Sequence, residues 1–156
     1  ITTSTLAGGG NISGIWTLDN GSRLNATYAD LAERFEADTS YTAGTVVALG
    51  GSAEITAETE ELSENVLGVI STKAAYLMNA GAGTDETHPA VAVSGRVPVR
   101  VIGKVKKGDR LVSAGNGLAR AGASNEISAF NVLGRALESK NTDGEGTVLA
   151  IVKLNS

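Results

Sequence analysis

The chain has 156 residues, a net charge of −4, 42% hydrophobic residues and no cysteine. That length suits one ordinary domain or two small fused halves, the acidic balance argues against a nucleic-acid binder, and the lack of cysteine excludes disulfides and thiolate metal sites. The apolar residues are mostly Ala, Val, Ile and Leu, with 20 Gly and 2 Pro, a mixture that favours short strands and glycine turns, and no stretch approaches the roughly 20 apolar residues of a membrane-spanning helix.

The start, Ile1-Thr2-Thr3-Ser4, has no Met and no basic or apolar signal region, so the chain is expected to be a piece of something longer or a processed product. Gly8-Gly9-Gly10 reads as a flexible break. After it Ile12, Gly14, Trp16 and Leu18 fall at every second position, which is strand periodicity. Asp19-Asn20-Gly21-Ser22 is a turn signal of type I′ character, and Leu24, Ala26 and Tyr28 resume the alternation. The expectation is a small hairpin with one apolar face. Such a hairpin is marginal alone, so Trp16 must cover its own domain or another copy of the chain. Residues 27–40 are the best helix candidate: Thr27 and Asp30 have capping-box-like spacing, and Leu31, Ala32 and Phe35 share one helical face.

From residue 41 the pattern is a series of short strands: Thr45–Leu49, Glu54–Ala57, Val66–Ser71, Ala90–Val93, Val97–Val105, Arg110–Ser113, Leu118–Ala121, Val132–Leu137 and Thr147–Leu154. Turn signals punctuate them at Gly50-Gly51, Asn116-Gly117 and Asp143-Gly144. A weak repeat runs through this region. Ala43-Gly44-Thr45-Val46-Val47 resembles Lys107-Gly108-Asp109-Arg110-Leu111, and Val66-Leu67-Gly68-Val69-Ile70 resembles Val132-Leu133-Gly134-Arg135-Ala136. The fold expected is mainly β: a short-stranded barrel or sandwich with an internal duplication, an N-terminal hairpin extension and one short helix. Residues 1–26 are expected to form a glycine-rich segment and hairpin, and residues 27–156 the β-rich domain.

Motifs for chemistry are sparse. His88, the one histidine, falls in the polar loop signal Asp85-Glu86-Thr87-His88-Pro89, and nothing ties it to a serine as a triad requires. One His and no Cys do not make a zinc site, and neither a phosphate loop nor a calcium loop is present. No metal or cofactor is expected. Lys106-Lys107 reads as a solvated turn. Glu58, Glu60, Glu61 and Glu64 read as the exposed edge of a hairpin, where charge discourages edge-to-edge pairing, because too few aromatics accompany them for a sugar cleft.

Four segments in order carry a resemblance: Gly14-Ile15-Trp16-Thr17-Leu18 with Tyr28-Ala29-Asp30-Leu31-Ala32-Glu33; Tyr41 with Gly44-Thr45-Val46-Val47; Val66 to Thr72 with Ala75-Tyr76-Leu77-Met78-Asn79; and Gly95-Arg96-Val97-Pro98-Val99-Arg100-Val101 with Gly103 to Asp109. Together they resemble the C-terminal domain of bacteriophage tail-fibre and other virion structural proteins. That resemblance implies a homotrimeric fibre tip joined to an upstream shaft and other virion proteins, on the outside of the virion and without catalytic activity. The apolar hairpin face, Ile12, Trp16, Leu18 and Tyr28, then becomes the expected interface between copies. A related branch is similar to the intramolecular chaperone and autoproteolytic cleavage domain of phage appendages. It implies self-cleavage by Asp30 and Glu33 with Thr27 as a hydroxyl, against the plainer reading of those residues as a capped helix start. Fibre tips also contact hosts, and the polar loop from Asn79 to Pro89 is the candidate surface for a glycan or protein receptor.

Overall fold

The computed structural model describes residues 10–154; the Ile1-Thr2-Thr3-Ser4 start and two glycines of the break, Gly8 and Gly9, lie outside them. The described residues form ten strands: β1 Asp30–Arg34, β2 Val46–Leu49, β3 Ile55–Ala57, β4 Val66–Ser71, β5 Tyr76–Met78, β6 Ala90–Ile102, β7 Arg110–Gly115, β8 Leu118–Ala121, β9 Val132–Ala136 and β10 Glu145–Lys153. No helix occurs among them.

The 13-residue β6 is the spine. Its first half is flanked by β1 and β4, and its second half by β10, all antiparallel. Pairing runs from β10 through β9, β7 and β8 back to β6. The last of these contacts is a single parallel pair, Val101 with Ala119, so the sheet bends on itself without closing into a regular barrel. Inside the bend lie Val97, Val99, Val101, Leu111, Leu133, Val148, Ala150 and Val152. On β10 these inward residues alternate with outward Thr147, Leu149, Ile151 and Lys153, as one buried face demands. The wing of β2, β3 and β4 is covered on both faces: Val46 and Val69 join the first core, while their neighbours Val47 and Ile70 build a second with Ile55 and Val91. Successive side chains on a strand point oppositely, which is why these strands read as unbroken apolar runs.

The duplication expected from the repeat is present in the pairing. Val47 faces Gly68 in the β2–β4 ladder as Leu111 faces Gly134 in the β7–β9 ladder, and each ladder shifts register at the next residue. β3 folds back on β2, and β8 on β7. The turns before them match as well. Gly44 N–H donates to the Ile70 carbonyl and Gly108 N–H to the Ala136 carbonyl, each at 2.8 Å, and both glycines take a positive φ, 85° and 92°, that an L-residue with a side chain adopts only under strain.

Two expectations are corrected. The segment expected to be helical holds β1 instead, hydrogen-bonded between β5 and β6. Tertiary pairing on both edges outweighs a capping pattern over one short stretch. Thr27 and Asp30 therefore do not cap a helix, and Leu31 and Phe35 do not share its face: Leu31 is exposed while Phe35 packs on the second core. The N-terminal hairpin is also absent from residues 10–29. The Asp19–Ser22 turn does form, with Ser22 N–H donating to the Asp19 carbonyl at 3.0 Å. Only Gly21 takes positive φ there, so it is not the type I′ turn that would fold two strands together.

Candidate functional site

Residues 10–29 form an arm that is exposed along its entire length. It carries Ile12, Ile15, Trp16, Leu18, Leu24 and Tyr28 into solvent, with Ile15 fully exposed and Trp16 at 55%. The Trp16 indole N–H turns back to the Ser13 carbonyl at 3.0 Å. All four residues expected at an interface, Ile12, Trp16, Leu18 and Tyr28, are thus uncovered by their own domain. Ile15 and Leu24 join them: Ile15 falls off the alternation, whereas Leu24 lies on it but was not among the expected interface residues. Full burial of one such side chain contributes about 1.5–3 kcal/mol, so the arm holds a large unrealised gain.

The arm enters the domain at a cleft of about 260 Å³ lined by Thr27, Tyr28, Asp30, Ser71, Lys73 and Arg96 among others. Its entry is fixed by close backbone contact. Arg96 N–H donates to the Ala29 carbonyl at 3.0 Å and Ala75 N–H to the Asp30 carbonyl at 2.9 Å. Gly95 takes φ 105°, and a Cβ there would collide with the Ala29 carbonyl and come within 2.8 Å of the Asp30 Cα, so glycine is what lets β1 lie this close. The Asp30 side chain is 4% exposed and its Oδ2 has no hydrogen-bond partner. Buried carboxylates are normally paired, and an unpaired one calls for an explanation. Lys73 Nζ lies 5.9 Å from the Tyr28 ring centroid, a cation–π approach at the mouth of the same cleft.

Of the three residues expected to cleave, Thr27 and Asp30 line this cleft and Glu33 does not. Three positions along a strand place Glu33 on the opposite face from Asp30. The cleft instead adds Ser71, Lys73 and Arg96, which come from β4, the turn after it and β6. No local motif links these positions; the topology brings them together.

Three further clusters of polar side chains lie outside this cleft. Arg34, at the end of β1, donates from Nη1 to Asp85 Oδ1 at 2.8 Å and to the His88 carbonyl at 2.7 Å, and Asn79 Nδ2 donates to the Arg34 carbonyl at 3.1 Å. The loop from Asn79 to Pro89 is thereby tied to β1, with half-buried His88 beside the Thr87 hydroxyl at 3.1 Å. The acidic run is not simply an exposed edge. Glu58 is buried and accepts from Glu60 N–H at 2.9 Å and the Ser63 hydroxyl at 2.7 Å, because its carboxylate closes the loop between β3 and β4. Arg120 bridges Glu61 at 2.8 Å and Glu126 at 2.9 Å; its hydrogen bonds hold the Glu126 carboxyl below the usual range and raise the Arg120 guanidinium. Among the described residues no group of three His, Cys, Asp or Glu side chains is placed to hold a metal ion.

No protein-family model matches the sequence, and no curated protein matches it. Solved structures do. The pre-mature bacteriophage phi29 gene product 12 superposes with a TM-score of 0.61 at 17% identity, over 85% of this chain and 23% of that one. This chain thus spans about a quarter of that protein's length. The bacteriophage phi29 gene product 12 C-terminal fragment superposes with a TM-score of 0.59 at 18% identity, over 80% of this chain and all of the fragment. At such identities the likeness is one of fold: this chain is built on the same β framework as the C-terminal fragment of that phage protein.

Proposed function

We propose that this chain is a non-catalytic structural domain at the C-terminal end of a phage appendage fibre, that it assembles as a homotrimer, and that it serves on the outside of the virion. The observation that carries this reading is the arm: twenty exposed residues rich in large apolar side chains, leading into a finished β-domain. Threefold packing of three such arms covers Ile12, Trp16, Leu18 and Tyr28 and continues into an upstream shaft. The match over the whole of a phage C-terminal fragment supports the same placement. The partners are then two further copies, the shaft and neighbouring virion proteins, and the loop tied down by Arg34 is the surface offered to a host receptor. Light scattering on chromatographed protein across a dilution series tests the assembly. A mass of three chains that persists on dilution is expected; a monomer at every concentration refutes it.

A second reading is favoured by one specific observation, the buried Asp30 carboxylate with its unpaired Oδ2 at the junction of arm and domain. In this reading the domain chaperones the shaft and then cuts the chain near that junction, with Asp30 as the acid or base and the Thr27 or Ser71 hydroxyl beside it. Expression of a longer precursor decides the matter. Two fragments that merge into one intact chain on Asp30→Ala support self-cleavage; an intact wild-type precursor removes it.

A further inference from the structure

The two duplicated halves carry opposite charge. Residues 35–72, which include β2, β3 and β4, hold seven carboxylates and no Lys or Arg. Residues 94–136, which include most of β6 and all of β7, β8 and β9, hold eight Lys or Arg against Asp109 and Glu126. The net charge of −4 conceals this division.

Each half presents its charge around an exposed apolar centre. On the second half the cross-strand register sets Arg110 opposite Arg135, Arg135 opposite Ile151 and Ile151 opposite Arg96. Residues directly opposite in neighbouring strands share a face, so the four make one row across β7, β9, β10 and β6. All four are exposed. None of the three arginines is among the ion pairs of the described residues; Arg135 spends two donors on the Gly108 carbonyl. On the first half a groove of about 420 Å³ runs beside the β2–β3 hairpin, lined by Leu49, Val66 and Leu67 together with Glu60 and Glu64. Leu49 is 65% exposed. Glu61 is committed to Arg120, but Glu60 and Glu64 have no cationic partner among the described residues, Glu64 accepting only from the Ser128 hydroxyl at 2.7 Å.

From this complementarity we infer that the acidic groove of one copy receives the Arg110–Arg135–Ile151–Arg96 row of the next copy. The occupant is a second copy because the two surfaces match in both terms, an apolar centre and charges of opposite sign beside it, and belong to the same chain. The two surfaces are different patches, so the contact is head-to-tail, and a head-to-tail contact that closes generates a ring. The inference rests on the trimeric reading and adds to it the surface by which the β-domains, rather than the arms, meet around the threefold axis. Charge complementarity of this kind sets partner and register and is sensitive to salt.

The test uses the full chain, with mass by light scattering from about 0.01 M to about 1 M salt, over which the Debye length falls from roughly 30 Å to roughly 3 Å. The concentration at which the trimer half-dissociates is expected to rise by about tenfold or more across that range. Arg96→Glu with Arg110→Glu, and separately Glu60→Lys with Glu64→Lys, each weaken assembly at low salt while the melting curve of the β-domain holds. The chain carrying all four changes regains assembly, because its groove is now basic and its row acidic. Should either pair of changes unfold the domain, the salt series on the wild-type chain still decides. A trimer indifferent to salt and to both charge reversals overturns this inference and leaves the trimeric reading standing on the arms. A wild-type chain that is monomeric throughout overturns both, and points the arginine row toward some other acidic partner.

Discussion

Gly134 lies directly opposite Leu111 across the β9–β7 ladder, and its bare Cα faces the backbone of β10 on the other side. A Cβ at Gly134 would collide with the Ile151 carbonyl and come within 3.0 Å of the Val152 Cα. Gly68, its counterpart in the first half, meets the Ala92 carbonyl and the Val91 side chain in the same way. Neither glycine takes a positive φ; what each supplies is room for three strands to lie close. Gly134→Val and Gly68→Val are each expected to cost about 1–3 kcal/mol through overpacking, read as a lower urea midpoint with an unchanged slope. Equal penalties at the two sites would show that the halves are energetically as well as geometrically equivalent.

The arm makes a prediction that separates folding from assembly. Trp16 is 55% exposed and its indole N–H is satisfied within the arm by Ser13. Trp16→Ala is therefore expected to leave the stability of the dilute, dissociated chain within about 0.5 kcal/mol of wild type. The same change is expected to weaken association by about 2 kcal/mol or more per chain, as the loss of a buried aromatic anchor does. Thermal melts at low concentration give the first quantity and light scattering the second. A large loss of stability in the dilute chain would place Trp16 on its own domain instead.

Much of this fold was legible in the residues, and the exceptions have definite causes. Val66–Ser71 and Leu118–Ala121 were bounded correctly because apolar runs and turn signals agree there. Asn116-Gly117 is a true hairpin turn, with both residues at positive φ and β7 and β8 beside it to be paired. Asn20-Gly21 is the same dipeptide, yet it folds no hairpin, because its flanks have no third layer to pack on. β1 was missed since its stability comes from β5 and β6, far along the chain, and not from its own five residues. Ala90–Val93 and Val97–Val105 were read apart because Ser94 and Gly95 break the apolar pattern, whereas β6 runs straight through them. Of the cleft, Thr27 and Asp30 were named through the resemblance to the self-cleaving phage appendage domain, since their spacing alone suggested a helix cap. Ser71, Lys73 and Arg96 could not be named, since only the topology gathers them.

Asp30 gives a test of whether the cleft is kept at a cost. A buried carboxylate oxygen without a donor is unfavourable, and an amide of the same shape carries no charge to desolvate. Asp30→Asn is expected to raise the stability of the domain, by about 1 kcal/mol or more, seen as a higher urea midpoint. A stabilised Asp30→Asn chain means the carboxylate is retained for a purpose other than folding. A destabilised one means that Asp30 supports the junction between arm and domain.

The last prediction concerns pH. Asp38 accepts a hydrogen bond from the Tyr41 hydroxyl, and this bond holds its carboxyl below the ordinary value of 3.8. Burial opposes this with a smaller effect, and Thr56 and the backbone N–H groups at the same loop add lesser contributions in the lowering direction. The folded chain therefore binds its proton more weakly than the unfolded chain does. The stabilisation is fully present above the unfolded value, and it is lost as the pH falls below it toward the folded one. Tyr41 also accepts from Ala57 N–H at 3.0 Å, so the pair joins the loop after β1 to β3 and to the second core. Asp38→Asn is expected to lower the melting temperature at pH 7, and the gap from wild type is expected to narrow as the pH is brought below about 4, the ordinary carboxylate range. A gap that stays constant from neutral to acid pH would mean that Asp38 acts through its shape and not through its charge.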